Sequence, residues 1–127
     1  MIEMKKNILL VDNDEVGIDI FTRALSKLPL RSNCICVKNT DHAVRLLYHY
    51  SPDFIFLDYD LPRERSLKCL EAIKKIDTVK NIPIILYSNQ IDEENNQKVL
   101  SMGAFAFMKK PNMINTLVKK LRELMLR

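Results

Sequence analysis

The feature that most constrains the fold is a short apolar run that ends in two carboxylates and a proline. Residues 54–57 (FIFL) carry only apolar side chains, and Asp58, Asp60 and Pro62 follow directly. A continuous apolar run of this length is typical of a strand buried on both faces, as in a parallel sheet. Because ligand crevices of open α/β sheets lie beyond the carboxyl ends of the strands, Asp58 is predicted to stand at such a crevice.

Similar runs alternate with helical patterns along the rest of the chain. Five strands that alternate with five helices require a parallel sheet covered on both faces. With right-handed crossovers, this arrangement is a doubly wound (βα)5 three-layer α/β sandwich of the flavodoxin-like type, with the common strand order 2-1-3-4-5. The predicted strands are residues 7–11, 33–37, 54–57, 82–87 and 104–108.

Polar residues and glycine mark the expected ends of the helices. Asn39 offers an N-cap oxygen to the second helix, and Asn112 is expected to cap the last. Residues 63–66 are expected to form a polar loop, so the third helix should begin near Leu67. Gly103 is expected to close the fourth helix with a positive φ.

Composition indicates one domain without a membrane segment. The chain has 127 residues, enough for one core, and its apolar runs are too short to cross a bilayer. No signal-peptide pattern follows Met1, so a cytoplasmic location is expected. The net charge of +4 is concentrated in the last nineteen residues, without an aromatic or groove-reading element. We interpret this charge as a solvated helix face and expect neither a nucleic acid nor a membrane as a partner.

The three cysteines form no recognisable pairing pattern. Cys34 and Cys36 lie on the second predicted strand, and Cys69 lies on the third predicted helix. We expect Cys34 and Cys36 to point to opposite faces of their strand, and all three to be buried, reduced thiols. A metal site at these residues is not expected, because suitable further ligands are lacking.

The ends of four predicted strands carry polar side chains with complementary chemistry. They are Asp12 with Asn13, Asp58, Ser88 and Lys110. Together they provide carboxylate oxygens for a hard cation, a carboxylate nucleophile, a hydroxyl donor and an ammonium group. Magnesium takes one or two carboxylates with phosphate oxygens and water, and fixed donors stabilise a phosphoryl transition state. The set therefore indicates phosphoryl transfer to Asp58 as the nucleophile.

Four segments together resemble the response-regulator receiver domain over essentially the whole chain. They are ILLVDND, PDFIFLDYDLP, IPIILYS and GAFAFMKKP, in the order and spacing of that family. The resemblance implies phosphorylation by a sensor histidine kinase or a phosphotransfer protein, magnesium dependence, and signalling to a downstream protein partner. It also implies that residues 1–127 form a stand-alone receiver without an output domain, which accepts a phosphoryl group and is not a turnover enzyme.

Positions that match the family's motifs suggest individual roles. Asp58 corresponds to the phosphoacceptor, Asp12 to the first residue of the acidic pair, and the backbone carbonyl of Asp60 to the third metal ligand. Ser88 corresponds to the switch hydroxyl and Lys110 to the lysine that contacts the phosphate. The resemblance also implies a changed surface on helix four, strand five and helix five after phosphorylation.

Three positions depart from the family's pattern. Asn13 stands where a second, directly metal-binding aspartate is usual, so Mg²⁺ binding is expected to be weakened, and Asp14 is not expected to substitute. Phe107 occupies the aromatic switch position that is often tyrosine. Ser66 replaces a usual glycine after the acceptor loop, which makes that turn less permissive.

Two further expectations follow from the resemblance. Pro111 matches a proline that commonly follows a cis peptide bond, which would direct the preceding lysine inward. Asp60 and Gln90 flank the path of a hydrolytic water, so their side chains are expected to tune dephosphorylation.

Two other functions remain open at this point. Asn13 supports a degenerate receiver that acts as a phosphorylation-independent interaction module. Residues 58–60 (DYD) mimic the Asp-x-Asp motif of haloacid-dehalogenase-like phosphatases. In that superfamily the motif normally opens the chain, and here no cap or downstream acidic pair follows.

Overall fold

The computed structural model describes residues 5–126, and these form an α/β fold with one sheet. Its five strands are parallel and lie in the order β2-β1-β3-β4-β5, which confirms the predicted topology. Strand β2 lies at an edge of the sheet. The elements are β1 (Lys5–Val11), α1 (Glu15–Ser26), β2 (Arg31–Val37), α2 (Thr40–Leu47), β3 (Phe54–Asp58), α3 (Arg63–Lys74), β4 (Ile84–Ser88), α4 (Glu93–Ser101), β5 (Ala106–Lys109) and α5 (Ile114–Met125).

The sheet is covered on both faces, and the central strand β3 is buried on both. Ile55 and Leu57 pack with residues of α2, α3 and α4, whereas Phe56 packs with residues of α1 and α5. All three side chains are inaccessible to solvent. The apolar run before Asp58 is thus a doubly buried strand, as predicted, and it delivers Asp58 to the carboxyl edge of the sheet.

Side-chain oxygens cap three of the helices. Asp14, Asn39 and Asp92 each accept a backbone N–H from the first turn of α1, α2 and α4, respectively. The last helix differs, because α5 starts after Met113 and has no side-chain cap. The expectation that Asn112 caps this helix is wrong, since the N-cap position lies one residue further along the chain.

The helices are short, and α4 ends as predicted. Gly103 follows it with a φ of 104°, a conformation that residues with a Cβ rarely adopt. Within residues 5–126, every helix is too short or too polar to span a bilayer.

Helix α3 begins earlier than predicted, and Ser66 lies inside it. The helix starts at Arg63, so the expected polar loop at residues 63–66 is its first turn instead. The buried Ser66 hydroxyl donates a hydrogen bond to the carbonyl oxygen of Asp58, at 2.5 Å. The position therefore has helical geometry that a serine adopts without strain, and its side chain ties α3 to the end of β3.

Ser66→Ala is expected to lower the free energy of unfolding by about 1–2 kcal/mol, because a buried carbonyl loses its hydroxyl donor. Ser66→Gly is expected to lower it further, by about 1 kcal/mol, since glycine is a poor helix former. Urea denaturation of the metal-free protein measures both. Ser101→Ala is the matched control, because that helical serine bonds to a carbonyl on the exposed surface. A Ser66→Ala protein as stable as the control would contradict this role.

The expectations that Cys34 and Cys36 face opposite sides of their strand and that all three cysteines are buried are wrong. The Sγ atoms of Cys34 and Cys36 lie 3.9 Å apart, because residues two apart on a strand share a face. Cys36 is exposed and Cys34 is half-buried, so Cys69 alone among the three is fully buried. Burial raises the pKa of the Cys69 thiol to about 12, which keeps this group protonated at neutral pH.

Candidate functional site

The carboxyl edge of the sheet gathers the four predicted groups. Asp12 follows β1, Asp58 ends β3, Ser88 ends β4, and Lys110 follows β5. Asp12, Asp58 and Ser88 are 2%, 3% and 1% exposed, so these polar groups are almost entirely removed from solvent. Burial of such polar groups is costly unless each has a hydrogen-bond or ion-pair partner, and all three have one.

Asp58 is held by two donors that meet at one oxygen. Its Oδ1 lies 3.0 Å from Nζ of Lys110 and accepts the backbone N–H of Asp60 at 2.9 Å. Burial raises the pKa of Asp58 to about 6; the Asp60 N–H and Lys110 oppose this rise, and the charge of Asp12 adds to it. At neutral pH the carboxyl group is still mostly ionised and can act as a nucleophile.

Asp12 has hydrogen bonds at both oxygens. Oδ1 accepts the backbone N–H of Asp14 at 2.9 Å, and Oδ2 accepts the Tyr87 hydroxyl at 2.7 Å. Nζ of Lys110 lies 5.1 Å from the centre of the Tyr87 ring. Burial and then the charge of Asp12 hold the pKa of Tyr87 well above its usual value, so the phenol is a neutral donor.

The oxygen donors at this edge suit a hard cation but carry little charge. The carboxylates of Asp12 and Asp58, the amide of Asn13 and the carbonyl of Asp60 could hold Mg²⁺, which prefers oxygen ligands. Within residues 5–126, no three His, Cys, Asp or Glu side chains cluster closely enough to hold a metal. Asp14 instead caps α1 by accepting a backbone N–H at 3.2 Å. The donor set therefore fits a magnesium ion with two carboxylates and no third.

Ser88 is turned towards Asp60. Its hydroxyl oxygen lies 3.0 and 3.1 Å from the two carboxylate oxygens of Asp60. The backbone N–H of Asn89 donates to the same carboxylate at 3.2 Å, and that of Gln90 donates to the Ser88 hydroxyl at 3.2 Å. The Asp60 side chain thus engages Ser88, while the Gln90 side chain lies on the exposed surface.

Tyr59 links the acceptor strand to α4 and β5. Its fully buried ring packs edge-on against the half-buried Phe107, with 5.2 Å between the ring centres. Its hydroxyl donates to Oδ1 of Asn95 on α4 at 3.0 Å, and the Arg63 guanidinium lies 5.0 Å from the ring centre. The residue after Asp58 therefore contacts α4 and β5, two of the three elements of the expected signalling surface.

Lys110 points towards Asp58 as expected, but a cis peptide bond is not the cause. The cis peptide bond within residues 5–126 joins Leu61 and Pro62, so a cis bond before Pro111 is wrong. The backbone N–H of Lys110 donates to the carbonyl oxygen of Ser88 at 2.8 Å, a continuation of the β4–β5 pairing. This bond places the lysine opposite Asp58 with a trans peptide.

Sequence reasoning missed Tyr59 and Tyr87. Each was interpreted as part of an apolar or loop segment, although a buried tyrosine hydroxyl usually needs a hydrogen-bond partner. The sequence did offer one indication of a role at the site: Tyr59 directly follows Asp58, and Tyr87 directly precedes Ser88.

Comparison with known proteins finds a family match and similar regulatory proteins. A family model described as "Response regulator receiver domain" matches residues 8–122. The phosphate regulon transcriptional regulatory protein PhoB of Pseudomonas aeruginosa is 28% identical over 122 residues, which cover 96% of this chain. The aligned region is 52% of that regulator, so the chain spans about half the length of this relative.

Solved structures with the same fold include two with informative descriptions. The phosphorylated cyanobacterial phytochrome response regulator RcpA superposes with a TM-score of 0.82 and 24% identity, covering 97% of this chain and 95% of that one. The receiver domain of the sensor histidine kinase PA1611 from P. aeruginosa has a magnesium ion coordinated in its active-site cleft. It superposes with a TM-score of 0.78 and 22% identity, covering 94% of this chain and 97% of that one. At these identities the likeness establishes the fold alone.

Proposed function

Because this chain belongs to the response regulator receiver domain family, we propose that it accepts a phosphoryl group on Asp58 from a sensor histidine kinase or a phosphotransfer protein. The observation that supports this most directly is the buried Asp58 carboxylate, paired with Lys110 at 3.0 Å beside a second buried carboxylate. We propose that the domain works as a phosphoacceptor and not as a turnover enzyme.

The proposed reaction moves one phosphoryl group between two nucleophiles. A carboxylate oxygen of Asp58 attacks the phosphorus of a phosphohistidine, the P–N bond breaks, and the imidazole leaves with its electron pair. Lys110 is close enough to Asp58 to bind the phosphoryl oxygens as charge develops on them. Asp12, Asn13, Asp58 and the carbonyl of Asp60 would hold a Mg²⁺, whose charge offsets that of the phosphoryl oxygens.

The proposed switch begins at Ser88. The new acyl phosphate adds roughly two negative charges next to a hydroxyl that now donates to Asp60. Reorientation of Ser88 towards the phosphoryl oxygens would open space into which Phe107 can turn. Since Tyr59 packs on Phe107 and bonds to Asn95, the change would reach α4, β5 and α5, the surface proposed to bind the downstream partner.

A mapping experiment tests the acceptor assignment. The protein is incubated with Mg²⁺ and a small phosphoramidate, which has the P–N bond of a phosphohistidine, and is then reduced with borohydride. Reduction converts an aspartyl phosphate to homoserine, and peptide sequencing should find this change at residue 58. Homoserine at another carboxylate, such as Asp12 or Asp60, would refute the assignment.

Asp60→Ala is expected to raise the rate of phosphorylation by an anionic small-molecule donor by about fivefold. Removal of the carboxylate lowers the repulsion of the donor and frees the Ser88 hydroxyl, while the backbone carbonyl stays. Asp60→Asn is the matched variant, because it removes the charge and keeps an acceptor for Ser88 and Asn89. The initial rate of mass increase measures the effect, and slower reactions in both variants would contradict this role of the carboxylate.

A second candidate function is supported by Asn13. With an amide at this position, no three acidic side chains converge within residues 5–126, which suits a receiver that binds its partner without phosphorylation. The two functions differ in one observable. Partner binding that is unchanged by a phosphodonor and by Asp58→Asn would favour the interaction module, and binding that responds to both would favour the phosphoacceptor.

A further inference from the structure

We infer that Tyr87 is a positioning residue of the metal site, which holds the Asp12 carboxylate through its hydroxyl and supports Lys110 with its ring. This inference rests on the proposed function, because it assigns a role towards the same magnesium site. It concerns a residue near the end of β4, directly before Ser88, to which the sequence alone assigned no role.

The hydrogen bond of Tyr87 links the ends of two strands that are not neighbours in the sheet. Tyr87 belongs to β4, and its backbone register partner is Asp58 on β3. Asp12 follows β1, and β3 lies between β1 and β4. The hydroxyl therefore reaches past the acceptor strand to bond Oδ2 of Asp12 at 2.7 Å, with Tyr87 and Asp12 only 5% and 2% exposed. A short, buried bond to a carboxylate restricts the rotation of that carboxylate.

Tyr87 also contacts the cation of the site. Nζ of Lys110 lies 5.1 Å from the centre of the Tyr87 ring and 3.0 Å from Oδ1 of Asp58. This is within the range of a cation–π interaction, which holds the ammonium group near the ring face. One side chain thus touches both groups that flank the acceptor, Asp12 on one side and Lys110 on the other.

A neutral phenol is a better hydrogen-bond donor to Asp12 than a cationic side chain would be, if Asp12 is to bind a metal. A lysine or arginine bonded to Asp12 would neutralise the carboxylate and repel Mg²⁺. A tyrosine donates the same kind of hydrogen bond without adding charge, so Asp12 keeps its attraction for a cation. Because Asn13 supplies no charge, the orientation of Asp12 gains importance for metal binding. Hydrogen bonds that orient metal ligands commonly contribute 10–100-fold to affinity.

The test compares three proteins in metal binding, with Mn²⁺ or Mg²⁺ in competition with a fluorescent chelator. Tyr87→Phe keeps the ring and is expected to weaken the affinity by about tenfold. Tyr50→Phe is the matched control, because it also removes a buried hydroxyl, in the segment before β3 at the opposite edge of the sheet. The control is expected to bind metal as the wild type does. Equal affinity in all three proteins, or equal losses in both variants, would overturn the inference.

A spectroscopic readout and a double variant separate positioning from general structural support. Metal binding to Asp12 should perturb the near-ultraviolet absorption of Tyr87, a signal that Tyr87→Phe abolishes and Tyr50→Phe retains. In the background of Asp12→Asn, Tyr87→Phe should cause no further loss of affinity, because the two residues act together. Additive losses would refute action through Asp12. Phosphorylation of Asp58 is measured independently, so failure of either proposal can be recognised separately.

Discussion

Asn13→Asp is expected to raise the affinity for Mg²⁺ by at least about tenfold. The variant adds a charged oxygen ligand beside Asp12 and Asp58, which are the two carboxylates of the present donor set. A charge pair at about 4 Å is worth up to roughly 4 kcal/mol at the effective dielectric constant near a protein surface, and screening reduces this figure. Calorimetric titration of the metal-free protein measures the change.

The same variant is expected to be less stable than the wild type without metal. A third carboxylate at the crevice adds like-charge repulsion, since Lys110 already has Asp58 as its partner. Asn81→Asp is the matched control, because it adds the same charge at an exposed residue before β4, at the opposite edge of the sheet. Equal metal affinities of Asn13→Asp and the control would show that Asn13 does not limit binding.

Asp58→Asn is expected to stabilise the metal-free protein at neutral pH by about 2 kcal/mol. Burial raises the pKa of Asp58 from 3.8 to about 6, so ionisation of this group costs the folded state more than the unfolded state. Each pKa unit corresponds to about 1.4 kcal/mol, and this net rise already includes the opposing effect of the Lys110 ion pair. Urea denaturation in the presence of a chelator measures the difference.

The stability advantage of Asp58→Asn over the wild type is expected to increase with pH. With a raised folded-state pKa, the stabilising contribution of protonated Asp58 is complete below the unfolded pKa of about 3.8 and is lost as the pH rises through about 6. The advantage of Asp58→Asn should therefore be small under acidic conditions, grow across this window, and stay constant above it. This growth should exceed that of the control Asp77→Asn, the same change at an exposed side chain. A variant that is less stable than the wild type at neutral pH would contradict the cost assigned to Asp58.

The general architecture and the position of the acceptor could be predicted because they depend on local patterns. The apolar run before Asp58 indicates a doubly buried strand by itself, and parallel strands necessarily bring their carboxyl ends to one edge. Asp12, Ser88 and Lys110 could be assigned to the crevice for the same reason. Gly103 likewise carries its own signal, since its φ of 104° suits glycine.

The contacts that the sequence did not indicate depend on tertiary structure. The partner of Tyr87, Asp12, lies 75 residues away and follows β1, which is not a neighbour of β4, so no local pattern indicates this contact. Ser66 likewise donates a hydrogen bond to the carbonyl oxygen of Asp58, eight residues earlier at the end of β3, which no local pattern indicates. The wrong faces assigned to Cys34 and Cys36 had a simpler cause, because residues two apart on a strand share a face.

The account depends above all on Asp58 as the residue that accepts the phosphoryl group. The most direct measurement is the intact mass of the metal-loaded protein after incubation with a small phosphodonor, for the wild type and for Asp58→Asn in parallel. The account predicts the added mass of one phosphoryl group on the wild type, loss of this addition when Mg²⁺ is chelated, and an unchanged mass for Asp58→Asn. An unmodified wild type, or equal modification of Asp58→Asn, would contradict it.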